Sequence, residues 1–426
     1  MSRQKIHVDI FDLVTSIARI IDLMSHAVGS HHMQVAYWVY QLGEALKFSD
    51  DEKFEFVIAA TLHDIGAFSL KERLDLLEFE DTKTGEHAIA GSLILDRFKP
   101  FSSIAKLVKF HHTPWRNGSG AFQDGKPVPI GSHLIHLADR VAVKISHQKP
   151  VLSQVDGISK AISDQKGEVF VPEHVDALIK IMNREYIWLD ATSDSLELIL
   201  KRLVRSQTRD FSMKQLVDFS RLICRLIDFK SEFTAAHSSG VAAVAVELST
   251  LNDFSHDDRR LIEIAAYLHD VGKLAIPSEI LEKQDKLTED EEFIMRSHVY
   301  YTYQMLEPFD VLKPLSDWAS FHQERLNGTG YPFGLKGADL PAGSRIMAVA
   351  DVFTALTEDR PYRKGMDTKR ARTVLQSMVD KGELDSHLVD MVFKHWKKLN
   401  EIRGSAQQEA IDEYNRFLAN LNRHVN

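Results

Sequence analysis

The sequence predicts an all-α protein made of two tandem helical bundles, and three observations predict it. Apolar residues recur at three- and four-residue spacing, as in Phe11, Val14, Ile17, Ala18 and Ile21 and again in Leu261, Ile264, Ala265 and Leu268. A set of His and Asp residues occurs twice, first as His31, His63-Asp64, His87, His111-His112 and Asp139, then as His237, His269-Asp270, His298, His322 and Asp351. The 426 residues suit two to three domains, and each half is long enough to bury its own core.

The repeat sets the order of the elements. A spacing of 206 residues relates His31, His63 and Asp64 to His237, His269 and Asp270; it becomes 211 for His87 and His111 and 212 for Asp139. With only 20 histidines in the chain, a duplicated scaffold explains this better than chance. His31 rather than His32 fits the register, because Val35 then matches Val241. His269 and Asp270 end an apolar helix, and Thr288-x-x-Glu291 reads as a capping box opening the helix that carries His298. Two Gly- and Pro-rich loops, Pro114 to Gly131 and Asn327 to Gly343, fall between the late His and the last Asp of each copy. Ser193 to Val204 reads as a helix ending the first half, so the domains are taken as 1–208 and 209–426.

Hydrophobic residues make up 44% and charged residues 27%, the ordinary soluble range. The net charge of -9 argues against a general binder of nucleic-acid polymers, which would normally be basic. A small phosphate substrate is compatible with it, because bound metal ions reverse the local field. The single cysteine, Cys224, lies in an apolar run and reads as a core residue. The N-terminus reaches Asp9 and Asp12 without a long apolar stretch, and no run of about 18 apolar residues follows. The expectation is a cytoplasmic protein without a membrane span.

A neutral imidazole offers one nitrogen to a metal, whereas a carboxylate can bridge two. An adjacent His-Asp pair therefore suits a dinuclear centre, with Asp270 as the bridge. His237 and Asp351 could complete one metal site and His298 and His322 the other. Mixed His and carboxylate ligands favour two divalent transition metals, Fe, Mn, Co or Zn, over Ca. Ions about 3.5–4 Å apart could clamp a phosphodiester, and Lys273 could neutralise developing phosphate charge. For any one of these residues alone, a hydrogen-bonded core histidine or a capping aspartate is the ordinary reading; repetition of the whole set favours metal.

From about Asp228 to Lys364 the chain resembles the HD-GYP family of cyclic dinucleotide phosphodiesterases, a branch of the HD phosphohydrolases. The resemblance rests on Leu268-His269-Asp270-Val271-Gly272-Lys273, Ile276-Pro277, His298, His322-Gln323-Glu324-Arg325, Gly328-Thr329-Gly330-Tyr331-Pro332, Val349-Ala350-Asp351 and Asp359-Arg360-Pro361-Tyr362-Arg363. It implies two HD-type bundles and a centre of two or three metals. It further implies hydrolysis of a 3′,3′-cyclic dinucleotide, cyclic di-GMP or cyclic GMP-AMP, by a metal-activated water that expels the 3′-oxygen. Tyr331, Pro332, Arg360, Arg363 and Lys364 become candidate substrate contacts, and the Gly-Tyr-Pro loop a pocket wall or a docking point for a protein partner.

The chain departs from the family pattern in several places. Gln323 stands where the family usually has a second His, and its amide oxygen is a weaker ligand. Phe233 stands where three-metal members carry Glu, which favours two metals. Gly240 and Thr302 replace the family's Arg and Gly and read as packing changes. The first half resembles the wider HD superfamily: it keeps the His111-His112 pair, has Ala67 in place of the Lys, and lacks Gly-Tyr-Pro after Trp115-Arg116-Asn117-Gly118-Ser119-Gly120. Three readings of it stand side by side: a phosphohydrolase trimming the 5′-phosphate of the linear product with further metal, a metal- or nucleotide-dependent regulatory domain, or an empty scaffold. For the whole chain the competing class is a catalytically weak sensor or adaptor acting through protein contacts. The bundles are expected to pack on each other or across a homodimer.

Overall fold

The computed structural model describes residues 6–22, 30–67, 85–146, 148–204, 208–230, 236–309, 313–359 and 364–425. The chain divides into two compact units, Asp9–Arg209 with Asn420–Asn426, and Met1–Val8 with Asp210–Ala419. Both are helical. Among the described residues the strands are short: Ile6–Asp9 pairs with Thr208–Phe211, and Phe122–Gln123 pairs antiparallel with Lys126–Pro127. The second pair folds the expected Pro114 to Gly131 loop into a small hairpin after a 3-10 segment, Arg116–Ala121. The Asn327 to Gly343 loop keeps only a 3-10 turn, Gly337–Asp339. No described helix is long and apolar enough to cross a membrane.

In the first unit the helix His31–Ala45 is buried along most of its length and packs against Asp50–Thr61 and Ile130–Lys144. Val35, Ala36, Tyr37, Trp38, Val39 and Leu42 are its core side chains. Trp38 meets Trp188 edge to face at 4.9 Å, an arrangement that adds about 1 kcal/mol beyond area burial. The Tyr37 hydroxyl donates to Asp190 at 3.0 Å, so its polar end is satisfied. A capping box, Ser49 with Glu52, starts the helix that leads to His63.

The second unit repeats the frame. His237–Leu251 packs against His256–Leu268 and Ala342–Thr357, with Val241, Val244, Ala245 and Leu248 in the core. Ser255 caps His256–Leu268, and the expected capping box of Thr288 with Glu291 opens Glu289–Leu306. That helix packs on the 3-10 turn Val271–Ala275. The approach depends on Gly272: a Cβ there would lie 1.9 Å from the His298 carbonyl oxygen. Gly66 plays the same part in the first unit, 2.1 Å from the His87 carbonyl oxygen. Only glycine lets the turn after His-Asp come this close to the next helix. Cys224 is buried, as the apolar run implied.

Candidate metal centres

The second centre assembles from five helices. His237 is the first residue of its helix, His269 and Asp270 follow the end of His256–Leu268, His298 is mid-helix, and Asp351 lies on Ala342–Thr357. His322 follows Lys313–Ser320. All six side chains are buried. One Asp270 oxygen, Oδ1, lies 3.3 Å from His298 Nε2 and 4.0 Å from His322 Nε2; the other, Oδ2, lies 3.3 Å from His269 Nε2 and 2.7 Å from Lys273 Nζ. Asp351 Oδ1 lies 3.1 Å from His237 Nε2. The donors form two overlapping groups, His237 with His269 and Asp351, and His269 with Asp270 and His322.

The histidines are held in one tautomer by a common device. Nδ1 of His269, His298 and His322 donates to the carbonyl three residues back, at Ala266, Met295 and Ala319, over 2.5–2.7 Å. Their Nε2 lone pairs then point into the cluster, and all three Nε2 atoms are buried without a hydrogen bond. Orphaned acceptors gathered around carboxylates are costly in a dry core, and this donor set fits divalent metal ions. Burial pushes His322 down to about 3, so it stays neutral and able to ligate. Burial alone would raise the Asp270 carboxyl, yet the Lys273 ammonium 2.7 Å away holds it well below the usual carboxylate range.

Several residues hold these candidate ligands in place. Gln323 does not turn its amide oxygen to the cluster: its Nε2 donates to Asp351 Oδ2 at 3.0 Å and its Oε1 accepts from Arg325. The side chain thus braces a ligand, because its one N–H face meets a carboxylate that needs a donor. Thr302 is more than a packing change, donating to the His269 carbonyl and accepting from Gly272 N–H. Glu324, buried, accepts from the backbone N–H of Phe333, Gly334 and Leu335 and pins the Gly-Tyr-Pro loop beside His322. Tyr331 carries the Arg296 guanidinium 4.4 Å over its ring. Pro332 is half-buried and Lys364 exposed. Phe233, Arg360 and Arg363 lie outside the described residues. Gly240 makes room for Gln407, whose side chain a Cβ there would meet at 2.9 Å.

Sequence reasoning missed Glu358. It is buried, and both its oxygens lie 3.0–3.1 Å from His237 Nδ1. In sequence it sits in the charged run Glu358-Asp359-Arg360, which reads as solvated surface. Burial disfavours a charged His237, but Glu358 and Asp351 outweigh it and raise it to about 10.

The first centre has the same plan. Asp64 Oδ1 lies 3.4 Å from His87 Nε2 and 3.6 Å from His111 Nε2, while Oδ2 lies 3.2 Å from His63 Nε2. Asp139 Oδ1 is 3.2 Å from His31 Nε2. His63 and His111 again donate Nδ1–H to carbonyls three residues back. His112 is gathered in, its Nε2 3.1 Å from that of His87. Arg140, which sequence reasoning did not select, binds Asp139 Oδ2 at 2.7 Å. His32 turns instead to Asp22.

Comparison with known proteins agrees with this geometry. Two family models, each described as an HD domain, match residues 28–144 and 221–388. The chain is 29% identical over 391 residues to 3′3′-cGAMP-specific phosphodiesterase 1 of Vibrio cholerae, covering 89% of this chain and 90% of that one. It is 34% identical over 210 residues to the cyclic di-GMP phosphodiesterase response regulator RpfG of Xanthomonas campestris, spanning about half of each protein, 49% and 55%. A crystal structure of a cyclic GMP-AMP specific phosphodiesterase of V. cholerae, V-cGAP3, superposes with a TM-score of 0.61 over 95% of this chain and 98% of that one; at 18% identity it attests the fold. An HD domain is a divalent-metal domain, and both clusters offer the donors for it. The chain belongs to the HD-domain family, with one HD domain in each half and the Gly-Tyr-Pro loop in the second.

Proposed function

We propose that the second domain is a metal-dependent phosphodiesterase that opens a 3′,3′-cyclic dinucleotide to the linear 5′-phosphorylated dinucleotide. The observation that carries this reading is Asp270, whose two oxygens face different histidines, as a bridging carboxylate requires. Two divalent ions there, from Fe, Mn, Co or Zn, would supply Lewis acidity to the phosphate and acidify a water. His269, His298 and His322 present bare Nε2 atoms, and His237 with Asp351 closes the other side. Lys273 Nζ, held 2.7 Å from Asp270 at the edge of this centre, would neutralise charge growing on the phosphoryl oxygens. Hydrolysis adds one water across the P–O3′ bond, leaving a 3′-hydroxyl and a 5′-phosphate. Likeness across both halves to the cyclic GMP-AMP enzyme supports that substrate over cyclic di-GMP.

The first domain is read as a second phosphohydrolase acting on the terminal phosphate of the linear product. Support comes from its gathered donor set and from an adjoining hollow of about 300 Å³ lined in part by His112, Lys109, Arg116 and Thr113, a basic surround suited to a phosphate. Exposed Phe333 and Tyr300 beside the Gly-Tyr-Pro loop support a protein partner at that face.

The test is a mass-resolved time course of the full chain loaded with Mn²⁺ or Fe²⁺ and given each 3′,3′-cyclic dinucleotide. A product heavier by one water is expected, fastest with cyclic GMP-AMP, followed by loss of phosphate. No conversion of any substrate by metal-replete protein would overturn the enzyme reading in favour of the adaptor.

A further inference from the structure

His237 differs from the other histidines of its centre in what holds its Nδ1. As the first residue of its helix it has no helical carbonyl one turn back. Glu358 takes that place from the far end of Ala342–Thr357, following Asp351 by about two turns. The carboxylate is buried and anchored in turn: Gln407 Nε2, from the C-terminal helix Trp396–Val425, donates to Glu358 Oε2 at 2.8 Å, and Arg403 binds Gln407 Oε1. One helix thus supplies both Asp351 for the Nε2 side of His237 and Glu358 for its Nδ1 side.

We propose that Glu358 is the positioning residue of His237, a carboxylate that fixes the imidazole with Nδ1–H outward and Nε2 toward the metal centre. The inference rests on the metal reading of this cluster. A carboxylate draws the Nδ1 proton more strongly than a carbonyl and so makes Nε2 a better donor. The three carbonyl-held histidines lack this charge, so Glu358 strengthens the His237–Asp351 side selectively. Burial sharpens the effect, because no water competes for the Nδ1 proton. The alternative is that Glu358 merely clamps the C-terminal helix through Gln407.

The experiment titrates metal-stripped full-length protein with Co²⁺, following the ligand-sensitive visible spectrum and the stoichiometry by equilibrium dialysis. It compares Glu358→Ala, Glu358→Gln and Gln407→Leu with the unmodified chain. Glu358→Ala should weaken one class of Co²⁺ sites about 10–100-fold and alter its spectrum. Glu358→Gln, which keeps an acceptor oxygen without the charge, should recover part of that loss and carries the test if the alanine variant does not fold. Gln407→Leu should stay within about threefold. Wild-type-like binding by both Glu358 variants would overturn the proposal, as would an equal loss in Gln407→Leu. A wild-type chain that bound no Co²⁺ would instead overturn the metal reading itself, and the inference with it.

Discussion

The two halves place nearly the same donors on the same helical frame, yet they surround them differently. In the second, Lys273 touches the central carboxylate and Gln323 braces Asp351. In the first, Ala67 replaces the lysine, His112 joins the cluster, and Arg140 neutralises Asp139. The second half folds its late loop around buried Glu324, while the first folds its own into a short hairpin. The His and Asp donor set travels with the repeat, whereas the charged neighbours around it differ between the halves. On the proposed reading, the lysine beside Asp270 serves a diester and the hollow beside His112 a terminal phosphate.

The largest expected break in that comparison comes from the central carboxylates. Asp270→Ala should remove metal from the second domain and abolish ring opening, whereas Asp64→Ala should leave ring opening intact and stop only later phosphate release. Metal analysis alongside product masses checks both, and an active, metal-replete Asp270→Ala protein would sink the assignment.

Next in size is the lysine. Lys273→Met should keep its metal and lose about 10²–10³-fold in kcat, the scale of one well-placed electrostatic group. A metal content that fell in step with rate would mean that Lys273 serves the fold instead.

Acid should then separate the halves in the metal-stripped protein. Burial lowers His87 to about 4, His136 to about 3 and His174 to about 4 in the first domain, and His322 to about 3 in the second. Each of these binds a proton more readily when unfolded, so its contribution is full above pH ~6.5 and falls as pH drops toward the folded value. The buried depressed carboxylates, Asp64 and Asp139 against Asp270 and Asp351, number two on each side and act at lower pH. His63, raised to about 9, and His237, to about 10, balance and lose their contribution only as pH rises through those values. Between pH ~6.5 and ~4 the first domain should open first, read by hydrogen exchange resolved by peptide. Earlier opening of the second domain would contradict this.

The smallest effect concerns the two capping boxes. Thr288→Ala should cost the second domain about 1 kcal/mol and Ser49→Ala a similar amount in the first, each measured by domain-resolved denaturation. A change in ring-opening rate larger than this would show that the helix carrying His298 is tuned as well as stabilised.

How much could be read beforehand follows from the range of each interaction. Helical periodicity and the capping box are local, so the all-α class and the start of the His298 helix are written in neighbouring residues. The repeat of His and Asp is legible in sequence because each donor occupies a fixed place relative to its own helix, and Gly66 and Gly272 mark where the turn after His-Asp meets the next helix. Contacts between distant segments carry no such spacing. Glu358 looks like surface charge until the helix from Ala342 returns it to His237, 121 residues away. Gln323 reads as a weakened ligand until its amide is seen to face Asp351. Glu324 gives no hint that it will bind three backbone N–H groups ten residues on. The sequence by itself determined the class, the duplication and the donors. Only the tertiary structure decided which of these groups face one another and which are held by neighbours, because a buried hydrogen bond depends on where side chains converge.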